Sequence, residues 1–116
     1  MGVTRLRGRA GETIAAAYLE LAGFTIVERN LRLGGVEVDL LAAERRVQVV
    51  VEVKLRSRSD YGGALEAVES AQRERLRRAA SILVARGHDE VRIDLVAIEL
   101  GSEGATLRHV RGAVSG

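Results

Sequence analysis

Residues 36–55 read VEVDLLAAERRVQVVVEVKL, two alternating apolar runs separated by the short segment Ala43-Glu44-Arg45-Arg46. A period of two marks a strand, and a short polar gap between two such runs can close a hairpin. In the second run Val47, Val49, Val51, Val53 and Leu55 face one way, and Gln48, Val50, Glu52 and Lys54 face the other. In the first, Val36, Val38 and Leu40 share a face, opposite Glu37, Asp39 and Leu41. A turn centred on Arg45-Arg46 matches the apolar faces. It brings Asp39 across from Glu52 and Glu37 across from Lys54. A slip of one residue would instead set Asp39 among valines, at the cost of burying an unpaired charge.

The flanking segments fall into place around this hairpin. Upstream, Ile14, Ala15, Tyr18, Leu19 and Ala22 recur at helical spacing from about Arg9, and Gly23 stands where a helix ends. FTIVERNLRL at 24–33 is rich in strand formers at its start and closes on Gly34-Gly35. Downstream, beyond the polar stretch RSRSDYGG, a second helix is expected over 65–86, with a break near Ser70. It carries Leu65, Val68, Leu76, Ala79, Ala80, Leu83 and Val84, and it stops at Gly87. EVRIDLVAIEL at 90–100 and the weaker ATLRHV at 105–110 read as two further strands. The expected fold is α/β in the order α-β-β-β-α-β-β, a mixed sheet with a helix on each face. All 116 residues form one domain in this reading, with a core over about 9–100 and frayed termini.

Composition narrows the chemistry. The chain has no cysteine, which excludes disulfides and thiolate metal sites, and His88 and His109 are too far apart to be ligands on one helix. No apolar run approaches the roughly 20 residues that span a bilayer, so a soluble cytoplasmic protein without a membrane partner is expected. Net charge is +2, carried by seventeen arginines and a single lysine, Lys54. The arginines cluster at Arg5, Arg7 and Arg9, at Arg56 and Arg58, and in RERLRR at 73–78. Such clusters suit a phosphate backbone, and they equally describe a solvated helix face. Only Tyr18, Phe24 and Tyr61 are aromatic, which argues against a single-strand binder built on rows of stacked bases.

Carboxylates crowded at Glu37, Asp39 and Glu52 repel one another unless a positive charge sits among them, and Lys54 alone does not balance three. A divalent cation does. Magnesium takes hard oxygen ligands, usually one or two carboxylates, and retains exchangeable waters. Asp39 and Glu52 supply that set, with the backbone carbonyl of Val53 between them. Lys54 would face the scissile phosphate as a compact cation, a place that the wide, permanently charged arginine fork fills poorly. Glu12 lies at the edge of the first helix's buried stripe, from which it could reach the acidic patch. Its position in the helix's first turn is explained as well, and on local grounds better, by the helix macrodipole.

These residues together resemble the PD-(D/E)XK nuclease superfamily, and within it the YraN-type family of small endonucleases related to Holliday-junction resolvases. The likeness runs from Gly11 to Leu100. It rests on Gly11-Glu12 with Ala16 and Tyr18-Leu19, Arg29-Asn30 ending the first strand, Glu37-Val38-Asp39-Leu40-Leu41, Val51-Glu52-Val53-Lys54-Leu55-Arg56, Tyr61-Gly62-Gly63, Arg75-Leu76 with Ala79-Ala80, and Arg92-Ile93-Asp94-Leu95-Val96. The resemblance implies a restriction-endonuclease-like core, with Asp39 and Glu52 as metal ligands, Lys54 as the catalytic lysine and Glu12 as an auxiliary acid. It departs from the family pattern in lacking the superfamily's proline, and in having Val36 and Gln72 where glycine and lysine are frequent.

The expected activity is hydrolysis of phosphodiester bonds in structured or branched DNA by a metal-activated water, using Mg2+ or Mn2+ and no small-molecule cofactor. Arg56, Arg58, Gln72, Arg73 and Arg75 would contact the nucleic acid, with Glu37 supporting. A symmetric junction would require a homodimer. The alternative is a non-catalytic nucleic-acid-binding or assembly module that retains the fold.

Overall fold

The computed structural model describes residues 2–57 and 70–115, with the backbone alone for 2–7. The chain runs α1 (Gly2–Leu21), β1 (Thr25–Leu33), β2 (Val36–Glu44), β3 (Val47–Ser57), α2 (Ser70–Ala85), β4 (Glu90–Gly101) and β5 (Gly104–Val110). The five strands form one sheet in the order β1-β2-β3-β4-β5, with β3 and β4 parallel and every other pair antiparallel. A parallel neighbour needs a crossover, and α2 supplies it. This is the expected architecture, a restriction-endonuclease-like α/β core. Among the described residues no helix is long and apolar enough to cross a membrane.

Each face of the sheet has its own core. Leu31, Leu33, Val36, Val38, Leu41, Val50 and Ile93 pack with Leu76, Ala79 and Leu83 of α2. Leu40, Ala42, Val49, Val51, Val96 and Ile98 pack with Ala15, Ala16 and Leu19 of α1. The helices differ from the periodic reading in extent and in burial: α1 begins at Gly2 rather than about Arg9, which puts Glu12 in mid-helix instead of in the first turn, where the macrodipole would have explained it. Ile14 of α1 and Val84 of α2 are exposed, at 41% and 55%, while Ala16 is buried. The buried stripe of α1 is Gly11-Ala15-Ala16-Leu19, made of small residues because the helix lies close to β3. α2 is described only from Ser70, so the expected contributions of Leu65 and Val68 fall outside the described residues.

A β-carbon at Gly11 would meet Leu55 Cβ at 3.3 Å and Val53 Cγ1 at 3.6 Å. Glycine therefore sets how near α1 approaches the strand that carries Glu52 and Lys54. Gly11→Val is expected to destabilise the protein by about 1–3 kcal/mol through overpacking. Thermal or urea unfolding measures this, and a stability equal to wild type would show that the helix stands further off.

The hairpin holds the expected register from Leu40↔Val51 to Glu44↔Val47, turning at Arg45, whose φ is 57°. Beyond Leu40 the alternation assumed from sequence fails. Val36 and Val38 belong to the α2-side core, whereas Leu40 and Ala42 belong to the α1-side core. The cause lies in β1, where Asn30 adopts a left-handed backbone, φ 51°. The β1–β2 ladder passes from Arg29↔Leu40 to Leu31↔Val38 and omits Asn30 and Asp39. Both strands change face there, and Asn30 lies within β1 rather than at its end. Beyond Leu40↔Val51 the β2–β3 ladder stops. Asp39 sits in the resulting fork.

Candidate active site

In the fork the Asp39 carboxylate points at the backbone of β3: its Oδ2 accepts the Val53 N–H at 2.8 Å. The Glu52 carboxylate lines the same cleft beside it. Burial and the neighbouring Glu52 charge push the Asp39 carboxyl up to about 7, against the pull of the Val53 N–H and Lys54. A residue's N–H and C=O leave the same side of a strand, so the Val53 carbonyl faces the fork as well.

Lys54 Nζ lies 3.4 Å from Glu52 Oε2, and both side chains are largely buried, at 14% and 11% exposed. Gln72, on the first turn of α2, donates its amide to the same oxygen. Asp39, Glu52 and Gln72 line a cleft of about 360 Å³, with Arg32, Glu37 and Arg75 on its walls. A larger hollow of about 860 Å³ lies between α2, β4 and the C-terminal segment, but its one acidic lining residue, Glu74, is ion-paired with Arg77. Chemistry, not size, selects the smaller cleft.

The remaining expected residues divide. Glu12 is half-buried on α1; burial and the Asp39 charge raise its carboxyl, partly opposed by a hydrogen bond with the Asn30 side chain. It is an electrostatic neighbour of the pair, and among the described residues no three acidic or histidine side chains converge as a metal cage. Glu37 does not meet Lys54 as expected: it pairs with Arg32 in the β1 register, 3.9 Å away and exposed. The ladder ends before reaching it. Arg56 turns back to its own chain, donating to the Leu55 carbonyl at 2.9 Å. Arg73 and Arg75 are exposed on α2. Arg58 and the Tyr61-Gly62-Gly63 segment lie outside the described residues.

Sequence reasoning missed Arg32 and the role of Asn30. The available signal for Asn30 was an asparagine inside a strand, since asparagine is among the few side chains that tolerate the left-handed region. Nothing in β1 alone placed Arg32 on the cleft wall, which needed the β1–β2 register.

The sequence matches the family described as "Uncharacterised protein family UPF0102" over residues 11–98, a span that runs from the middle of α1 into β4. The chain belongs to the UPF0102 family. Among UPF0102 proteins, that of Shewanella putrefaciens is 48% identical over 94 residues, covering 79% of this chain and 87% of its own. The UPF0102 protein of Symbiobacterium thermophilum is 42% identical over 105 residues, 88% and 89% of the two chains. That of Dechloromonas aromatica is 39% identical over 111 residues, 95% and 92%. The UPF0102 match thus takes in the fork, the lysine and the α2 glutamine together.

Proposed function

We propose that this UPF0102 protein is a divalent-metal-dependent endonuclease of the PD-(D/E)XK superfamily, YraN-type, acting on structured or branched DNA. The observation that carries the reading is the buried Asp39 carboxylate on the Val53 N–H, beside Glu52, which holds Lys54 and Gln72 at the same cleft. The donor set fits Mg2+ or Mn2+: two hard carboxylates and a carbonyl, with room in the cleft for water and a phosphate oxygen. Asp39, Glu52 and the Val53 carbonyl would hold the ion. When bound, it would supply Lewis acidity toward the phosphate and the attacking water.

The protein's own groups do the rest. Lys54 offers ammonium hydrogen bonds to a non-bridging phosphate oxygen as charge accumulates there. Gln72 fixes the Glu52 carboxylate, so the acid does not have to reorganise during the reaction. Arg32 and Arg75 on the cleft walls, with Arg73 beyond, would contact backbone phosphates. Among the described residues no element presents a row of base-reading side chains, which favours recognition by nucleic-acid shape. A purely binding module would gain nothing from paired carboxylates where phosphate must approach.

Labelled duplex, single-stranded, flapped and four-way substrates, each with Mg2+, Mn2+ or chelator, test the reading. Cleavage is expected with metal only, and Lys54→Ala should lower its rate at least about 100-fold through loss of transition-state charge stabilisation. Equal trace cleavage by wild type and variant, or cleavage indifferent to chelator, would sink the proposal and leave the non-catalytic binding module.

A further inference from the structure

A helix packed on one side of a sheet ordinarily turns a polar face to water. The solvent side of α1 carries exposed Arg9, Thr13 and Glu20, but an apolar line runs beside them. Ala10, Ile14, Ala17 and Leu21 are all exposed and recur at steps of four, three and four, and Leu21 is 90% accessible. That spacing is the seam of a coiled coil. The buried stripe, Gly11-Ala15-Ala16-Leu19, already satisfies the fold from the opposite side. The outer stripe is therefore a second apolar face that intramolecular packing leaves uncovered.

Its order of sizes points to an occupant. We propose that α1 pairs with α1 of a second copy of this chain, antiparallel, about a two-fold axis passing between Ile14 and Ala17. In that register residue numbers facing each other sum to 31, so Ala10 meets the second copy's Leu21 and Ile14 meets its Ala17. Each bulky side chain enters the space over a small one, in both halves, which is the self-complementarity an isologous interface requires. Charge follows the same order. Arg9 and Glu20 flank the seam at opposite ends, and antiparallel pairing brings Glu20 of each helix toward Arg9 of the other.

Parallel pairing would do the reverse, setting Ile14 on Ile14 and like charges on like. A membrane surface is a poor alternative, because two bulky residues in four offer little apolar area and the small ones add almost none. One helix pair buries less than a typical stable interface, so the dimer should be weak and reversible, with a dissociation constant of roughly 10 μM or weaker. The inference does not depend on the proposed nuclease activity. It would, however, relate two copies of the cleft by the same axis.

Sedimentation equilibrium from about 1 to 300 μM tests it, with expected values drawn from that weak-interface range. Wild type should pass from monomer to dimer across the range, and Ile14→Asp or Leu21→Asp should remain monomeric at every concentration. Both sites are exposed, so circular dichroism and melting temperature should be unchanged. Because the chain has no cysteine, single Ala10→Cys and Leu21→Cys variants can be mixed and oxidised. The mixed disulfide should exceed either homodisulfide. A monomeric wild type throughout, a dimer indifferent to the aspartates, or predominant homodisulfides would each overturn the proposal.

Discussion

Asp39→Asn is expected to abolish metal-dependent cleavage and, at the same time, to make the metal-free protein more stable above pH 7. Both follow from one geometry. Asparagine keeps an oxygen for the Val53 N–H and offers its amide to Glu52, so the fork stays closed, but it gives a divalent ion no charge. The stability effect has a definite sign. The folded carboxyl sits at about 7 against an ordinary 3.8. It is therefore more easily protonated in the folded than in the unfolded chain, and ionising it costs the fold. That cost is absent below about pH 4, grows as pH rises, and is fully present above about 7. Allowing for solvent screening in an open cleft, we expect the variant to gain about 1–2 kcal/mol at pH 8 and roughly 5 °C in Tm. The gain should vanish near pH 4. An Asp39→Asn protein less stable than wild type at pH 8 would refute the crowded-carboxylate account even if activity were lost.

The second large effect lies away from the cleft. Asp94 is completely buried beneath α1 and accepts four hydrogen bonds: from Arg92 Nε at 2.7 Å and its terminal nitrogen at 2.9 Å, from His109 Nε2 at 2.8 Å, and from the Gly112 N–H at 3.0 Å. With Nε2 on Asp94, the Nδ1 of the same ring meets the Tyr18 hydroxyl at 2.9 Å, which ties α1 to the sheet. Burial alone would raise the Asp94 carboxyl, but these donors outweigh it and hold it below its ordinary value.

Asp94→Ala would strand a guanidinium and a buried imidazole together. We expect a loss of about 3–5 kcal/mol and roughly 10–15 °C in Tm, with Asp94→Asn losing less. Because the folded value is lowered, this carboxylate's contribution is present above about pH 4 and disappears as pH falls through the folded value. The wild type should lose stability in acid more steeply than Asp94→Asn. Equal acid profiles for the two would show that the network is not what holds Asp94 ionised.

The sequence was informative where periodicity and turn chemistry agreed. The hairpin register from Leu40↔Val51 to Glu44↔Val47 followed from two alternating runs and a turn at Arg45-Arg46. Glycines at 23, 34, 35 and 87 closed the helices and the first turn where expected. What periodicity could not supply was a break in itself. The left-handed Asn30 moves Val36 and Val38 to the other face from Leu40, and regular alternation cannot represent that switch. Ile14 reads as core from its spacing because the first helix carries two apolar stripes, and spacing alone does not say which one meets the sheet. Asp94 stood in phase with Val96 and Ile98, a warning of a buried carboxylate. Its partner His109, however, depended on the β4–β5 register.

The fork also bears on any attempt to move this chemistry elsewhere. On an unbroken strand a carboxylate stands perpendicular to the sheet and cannot accept a neighbouring strand's backbone N–H. Asp39 does so because the ladder parts around it. Grafting Asp39, Glu52 and Lys54 onto a regular hairpin would reproduce their spacing but not their aim. The transplantable unit has to include Asn30 and its kink, a residue that belongs to none of the reacting groups.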